Sequence, residues 1–147
     1  MEKELMIRYR SLLKDSIRKE IDFSKTDQFR NVPPPPIEKP YPPDAEITEL
    51  PGVGSFQGQF GVDLQNAIWN RESRRSYRAE PITLKELSFL LWATQGVRRR
   101  LDAGHALRTV PSAGCRHALE TYLCILNIEG LSPGIYRYLP LEHRLLF

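Results

Sequence analysis

Apolar residues near the start of the chain recur at three- and four-residue intervals, at Leu5, Tyr9, Leu12, Leu13, Ile17 and Ile21, with Arg8, Lys14, Arg18 and Lys19 between them. That spacing predicts an amphipathic helix burying one face. From Val32 the pattern breaks, because Pro33 to Pro36, Pro40, Pro42, Pro43 and Pro51 remove backbone donors and fix φ. Residues 32–60 are therefore expected to run extended, as an arm or linker lying along its own protein, with docking into an aromatic groove of a partner as the alternative. Gly52, Gly54, Gly58 and Gly61 make a flexible passage to Asp63, an N-cap for a short helix through Leu64, Ala67 and Ile68.

The best-marked boundary follows. Thr83 and Glu86 have the spacing of a capping box, with Ile82 and Leu87 at the positions of a hydrophobic staple. A helix then runs through Leu87, Leu90, Leu91 and Thr94, widened by Phe89 and Trp92, with Gly96 expected to end it as a left-handed cap. Arg98 to Arg100 and the following Asp102-Ala103-Gly104-His105 read as an exposed loop, since three like charges need solvent. Past residue 114 and a short helical step, Thr121 to Ile128 is β-branched and apolar enough for a strand. A turn at Pro133-Gly134, a second strand at Ile135 to Tyr138 and a third from His143 to Phe147 complete an antiparallel meander. The expected class is α+β, with helices packed on an antiparallel-rich sheet.

Composition narrows the partners. A net charge of +3, a pI near 9.0 and 27% charged residues of mixed sign fit a globular domain, and the basic stretch lacks the aromatic platform of a nucleic-acid binder. No nucleic-acid function follows. The positive charge is nevertheless local: between residues 71 and 108 nine arginines and lysines face four carboxylates. Cys115 and Cys124 give no metal-ligand spacing with the scattered His105, His117 and His143, so both are read as reduced thiols and no metal site is assigned. No apolar run has transmembrane length, and the acidic start Met-Glu-Lys-Glu lacks the apolar core of a secretory signal. The expectation is a cytoplasmic protein with no membrane partner.

Candidate chemistry lies in two segments. In Arg74-Arg75-Ser76-Tyr77-Arg78 the residues Arg74, Ser76 and Arg78 alternate, so an extended backbone turns two guanidinium forks and a hydroxyl the same way. Such a set suits phosphate oxygens, although short basic runs also occur as plain solvated surface. The second segment is Arg108-Thr109-Val110-Pro111-Ser112-Ala113-Gly114, followed by Cys115 to Glu120. Ser112, His117 and Glu120 are triad-type residues, but Val110-Pro111-Ser112-Ala113-Gly114 lacks the first glycine of a nucleophile elbow, which argues against a hydrolase.

Taken in order, R-R-S-x-R, P-I-T-L-x-E-L, L-L-W-A-x-Q-G, P-S-A-G and L-E-x-Y resemble the nitroreductase-like FMN-dependent oxidoreductases, and are similar to their thiazoline/oxazoline dehydrogenase (SagB-type) branch. The resemblance covers roughly residues 60 to 147. It implies a nitroreductase-like fold and FMN as cofactor, with NAD(P)H as the accompanying electron donor. Arg74, Ser76 and Arg78, with Arg75 beside them, are implied as phosphate and ribityl contacts, and Pro111, Ser112, Ala113 and Gly114 as the loop against the isoalloxazine. No catalytic side chain is implied, because the flavin itself carries the hydride. The implied substrate is a small molecule or a peptide azoline, and the implied partner is a second copy in a homodimer or a complementing C-terminal half. The apolar Leu145-Leu146-Phe147 reads as a strand left with an unpaired edge, so 61–147 is expected to be the N-terminal part of an FMN-binding domain, preceded by 1–31 as helix and extension and 32–60 as arm. The alternative within this reading is a non-catalytic flavin-binding or dimer-forming fragment.

Overall fold

The computed structural model describes residues 2–12, 14–56, 58 and 61–147. They fall into two units, 1–34 and 35–147. In the first, helix α1 spans Glu2–Leu12, and two 3-10 turns follow at Asp15–Lys19 and Phe23–Lys25. The continuous helix expected through Ile21 is thus shorter, and Leu13 of its apolar stripe lies outside the described residues. Leu5, Tyr9 and Ile21 are exposed and Ile17 is half-buried, so the predicted stripe forms no buried face among the described residues. The second turn is held by Asp22, whose carboxylate accepts from Ser24 N at 3.1 Å and from Ser24 Oγ at 2.6 Å.

The second unit is built on a four-stranded antiparallel sheet. Its strands are β1 (Ile47–Glu49), β4 (Thr121–Ile125), β5 (Gly134–Leu139) and β6 (Arg144–Leu146), in the spatial order β1-β6-β5-β4. Strands β4, β5 and β6 form the predicted meander, with β4 ending at Ile125 because Asn127 to Glu129 turn away to pair with Ile82. The expected open edge at the last strand is corrected: Ile47 pairs with Leu146 and Glu49 with Arg144, so β6 lies inside the sheet. The edges are β1 and β4. A three-residue strand inside a proline-rich stretch carries too little alternation to be seen in sequence.

One face of the sheet is covered by helix α3 (Leu84–Gln95). Its start is the predicted capping box: Thr83 N donates to Glu86 Oε2 at 2.8 Å, and Glu86 N to Thr83 Oγ1 at 3.2 Å. Leu87 and Leu91 enter the core with Leu50, Ile125, Tyr136, Tyr138 and Leu145. Leu90, expected on the same face, is 49% exposed, and Ser88 takes the buried place instead at 0%. Phe89 and Trp92 pack on Phe56, with ring centroids 5.5 and 5.9 Å from it, so the other flank of α3 holds the 3-10 turn Val53–Phe56.

The opposite side of the sheet carries the proline strap. Arg137, buried on β5, donates from Nη2 to Lys39 O at 2.8 Å and places its guanidinium 5.8 Å from the centre of the Tyr41 ring. Lys39 N donates to Glu120 Oε1 at 2.8 Å, Leu141 N donates to Glu38, and Ile37 is buried. Prolines leave few donors, so the strap is held by side chains reaching its remaining backbone groups rather than by ladder pairing.

Gly96 ends α3 in an extended conformation, φ −60° and ψ 142°, which corrects the expected left-handed cap. The chain continues directly into strand β2 (Val97–Arg100), paired with β3 (Ala106–Arg108). Arg98 to Arg100 are therefore strand residues rather than loop, though exposed as expected, and the turn is confined to Asp102–His105, where Asp102 accepts from Gly104 N at 2.8 Å and lies 2.7 Å from His105 Nδ1. A two-stranded ribbon leaves one face to solvent, which satisfies both the charge repulsion and the backbone.

Candidate functional site

Helix α2 (Leu64–Trp69) precedes the arginine segment, capped as predicted by Asp63, whose carboxylate accepts from Asn66 N at 3.3 Å. Its apolar side chains Leu64, Ile68 and Trp69 are exposed, Trp69 at 86%. Residues 71–78 then form neither helix nor strand and are all exposed. Arg74 Nη2 is 2.8 Å from Glu72 Oε1, whereas Arg75 and Arg78 have no ion pair among the described residues.

The backbone beyond Arg78 is anchored to the far end of β4. Asn127 Nδ2 donates to Ala79 O at 3.1 Å, Ile82 N to Asn127 O at 3.3 Å, and Glu129 N to Ile82 O at 2.9 Å. This leaves a groove of about 720 Å³ between the arginine segment and the edge strand, with Tyr77, Arg78 and Glu80 on one wall and Ile125, Leu126 and Ile128 on the other. One cation, Arg78, and two carboxylates, Glu80 and Glu86, thus border an open, largely apolar floor of ligand size.

The second segment starts from a fixed point. Thr109 N donates to Gly96 O at 2.9 Å and Thr109 Oγ1 to Trp92 O at 2.9 Å, which ties the entry of the loop to the end of α3. Pro111, Ala113 and Gly114 are exposed and Ser112 half-buried. Gly114 has φ +68°, and Cys115 and His117 follow at +55° and +46°. Two non-glycine residues in the left-handed region within three positions make this a strained loop. Ser112 Oγ accepts the backbone N–H of His117 at 3.1 Å and Glu120 is engaged by Lys39 N, so these three residues do not form a nucleophile–base relay. Burial, and then the Arg108 charge, lower the pKa of His117.

The two segments lie at opposite ends of β4. Arg78 lines the groove beside Cys124 to Ile128, while the loop reaches the strand through residues 116–120, of which Arg116, His117, Ala118 and Glu120 border a separate groove of about 370 Å³ against the proline strap. The two grooves share no lining residue. Five strand residues separate them by about 16 Å.

A charged residue missed as a functional candidate is Arg108. It is 8% exposed, its Nε has no hydrogen-bond partner among the described residues, and burial lowers its pKa against the opposing fields of Glu38 and Glu120. Its only sequence signal is a place three residues before Pro111, since a three-residue strand gives no burial pattern. Among the described residues no cluster of three His, Cys, Asp or Glu side chains is gathered for a metal, Cys115 and Cys124 are free thiols, and no helix is long and apolar enough to cross a membrane.

Two-layer packing of helix on antiparallel sheet is that of a nitroreductase-like fold. The nitroreductase family model matches residues 68–147, more than half of the chain, and the protein belongs to that family. Over 85 residues it is 35% identical to "Putative nitroreductase MJ1384" of Methanocaldococcus jannaschii, covering 58% of this chain and 41% of that one. A crystal structure described as "a putative nitroreductase" from Ralstonia eutropha JMP134 superposes with a TM-score of 0.53 at 32% identity, covering 78% of this chain and 51% of the other. The chain thus spans about half the length of these relatives or less.

Proposed function

We propose that the protein contributes to an FMN-dependent oxidoreductase of the nitroreductase type, passing a hydride from NAD(P)H to a small acceptor or, in the SagB-type variant, oxidising a peptide thiazoline or oxazoline. The observation that carries the reading is the exposed Arg74-Arg75-Ser76-Tyr77-Arg78 segment beside a groove of about 720 Å³ in a chain of this family. The donor set suits a phosphate monoester, because Arg75 and Arg78 make no ion pair among the described residues and Ser76 adds a hydroxyl, while Glu80 and Glu86 in the same groove work against it. Arg74 is already neutralised by Glu72, so Arg78 is the stronger contact. Bound FMN would supply the hydride chemistry, and the chain's role is to hold and orient it. Tyr77 and the apolar floor would exclude water from a flat ring system.

The loop Pro111 to Gly114 would sit against the isoalloxazine. Within one chain it is remote from the Arg78 groove, which supports a homodimer in which the arginine segment of one copy and the loop of another meet on one flavin. The exposed apolar α2 favours the same arrangement, and equally a complementing C-terminal half. A fragment that binds flavin or a second copy without turnover is the rival reading.

Flavin fluorescence titration separates them. FMN should bind better than riboflavin, and Arg78→Ala should weaken FMN by about 1.5 to 3 kcal/mol while leaving riboflavin nearly unchanged. Equal losses for both flavins would remove the phosphate contact. FMN binding without NAD(P)H oxidation would favour the non-catalytic reading, and turnover of an azoline peptide over a nitroaromatic acceptor would select the SagB-type branch.

A further inference from the structure

Three elements meet at a hydrogen-bond relay, buried at Tyr138 and Ser88 and half-buried at His143, that the proposed chemistry does not use. Tyr138 Oη on β5 lies 2.7 Å from His143 Nδ1, His143 Nε2 lies 2.7 Å from Ser88 Oγ on α3, and Ser88 Oγ donates to Pro51 O at 2.6 Å. Tyr138 and Ser88 are 1% and 0% exposed. The proton positions follow from counting. Pro51 O can only accept, so the single Ser88 hydrogen goes there, and Ser88 must accept from His143 Nε2–H. A neutral ring then has a bare Nδ1, which accepts the Tyr138 O–H. Every member is satisfied without a charge.

A second proton on His143 breaks that count. Nδ1–H would confront the Tyr138 O–H, and the phenol could accept only by turning its own hydrogen toward a place with no acceptor in the relay. The charged groups around the site do not relieve this. Arg108 on β3 and Glu38 on the strap act on Tyr138 with opposite signs, while Glu142 and Glu49 are both committed to Arg144, and Glu142 also to Tyr41. Among the described residues no carboxylate is bonded to the His143 ring. Burial itself lowers the His143 pKa and raises that of Tyr138. His143 also closes the β5–β6 turn at φ +58°, a conformation that stores strain.

We propose that this relay is an acid-released latch: protonated His143 leaves its pocket for water and the β5–β6 turn loses its tie to Ser88 on α3, while the Ser88–Pro51 bond stays in place. The same turn sets Leu141 N on Glu38 and Arg144 on Glu49 and Glu142. Acid therefore sets how firmly the β5–β6 turn is held against α3. The latch rests on the relay geometry alone and stands whether or not flavin binds.

The test is amide hydrogen exchange of the 147-residue chain, read by mass spectrometry over the β5–β6 turn, residues 140–144, and corrected for the intrinsic pH dependence of exchange. The sign follows from linkage. The opened state has an ordinary histidine near 6.5 and the closed state a lower value. Protection is therefore constant above pH 6.5 and falls below it, by at most about tenfold per pH unit for one proton. His143→Asn, which suits a left-handed position, should remove the slope, and Glu38→Gln should keep it. In the wild type, nitrogen chemical shifts at pH 7 should report a neutral Nε2–H ring. Flat protection down to pH 5.5, an unchanged slope in His143→Asn, or a charged or Nδ1–H ring at pH 7 would each overturn the latch.

Discussion

Gly96→Ala is expected to destabilise the protein although its backbone lies in an allowed region for any residue. At φ −60° and ψ 142° an alanine meets no conformational penalty, and by restricting the unfolded chain it should stabilise by about 0.4 to 1 kcal/mol. The surroundings reverse that sign. A Cβ on Gly96 would fall 2.6 Å from Trp92 O and 2.9 Å from Trp92 Cγ, and closer still to Cδ1. The carbonyl cannot yield cheaply, because it accepts both Gly96 N at 2.8 Å and Thr109 Oγ1 at 2.9 Å. The indole is held by Phe56 and Phe89. Overpacking of this kind costs about 1 to 3 kcal/mol, which leaves a net loss centred on about 1 kcal/mol and at most about 2.6 kcal/mol after the entropic gain. Urea unfolding followed by far-ultraviolet circular dichroism measures it, and Gly96→Asn supplies the discriminating comparison. A left-handed cap would favour asparagine over alanine, whereas steric exclusion makes asparagine no better. An asparagine variant as stable as wild type would refute the reasoning.

Leu145→Ala removes a fully buried side chain between α3 and the sheet and should cost about 2 to 5 kcal/mol in the same unfolding assay. Thr83→Ala deletes the hydroxyl that caps α3 and should cost about 0.5 to 2 kcal/mol, most of it recovered in Thr83→Ser. For the proposed flavin site, Ala113→Leu should lower flavin occupancy or shift the bound absorption spectrum, while Arg99→Ala on the exposed ribbon should do neither.

The parts of the fold legible in sequence were those written in short-range chemistry. The Thr83–Glu86 box, the Asp63 cap and the β4–β6 meander each rest on residues a few positions apart, whose spacing fixes local geometry before anything packs. What escaped was set by distant partners. Gly96 looks like any helix-ending glycine until Trp92 is seen to occupy the place of its side chain. Strand β1 exists because Leu145 and its neighbours offer an edge, not because Ile47-Thr48-Glu49 insists on one. The N-terminal stripe had helical spacing, yet periodicity specifies a face only where something covers it. For the site, the two segments were readable as residue types, but their placement at opposite ends of one strand was not, and neither was the burial of Arg108.

The pairing of β1 with β6 also dictates an order of events during folding. Ile47 meets Leu146, Lys39 O waits for Arg137, and Glu38 waits for Leu141, each across roughly a hundred residues. The capping box and the β4–β5 hairpin can form as soon as their own stretches are available, so α3 on a partial sheet is the natural first structure. The proline strap and its strand have nothing to bind until β5 and β6 exist. On the ribosome the segment made early would therefore dock late. Its prolines meanwhile protect it, since a chain poor in backbone donors is a poor template for the wrong neighbour.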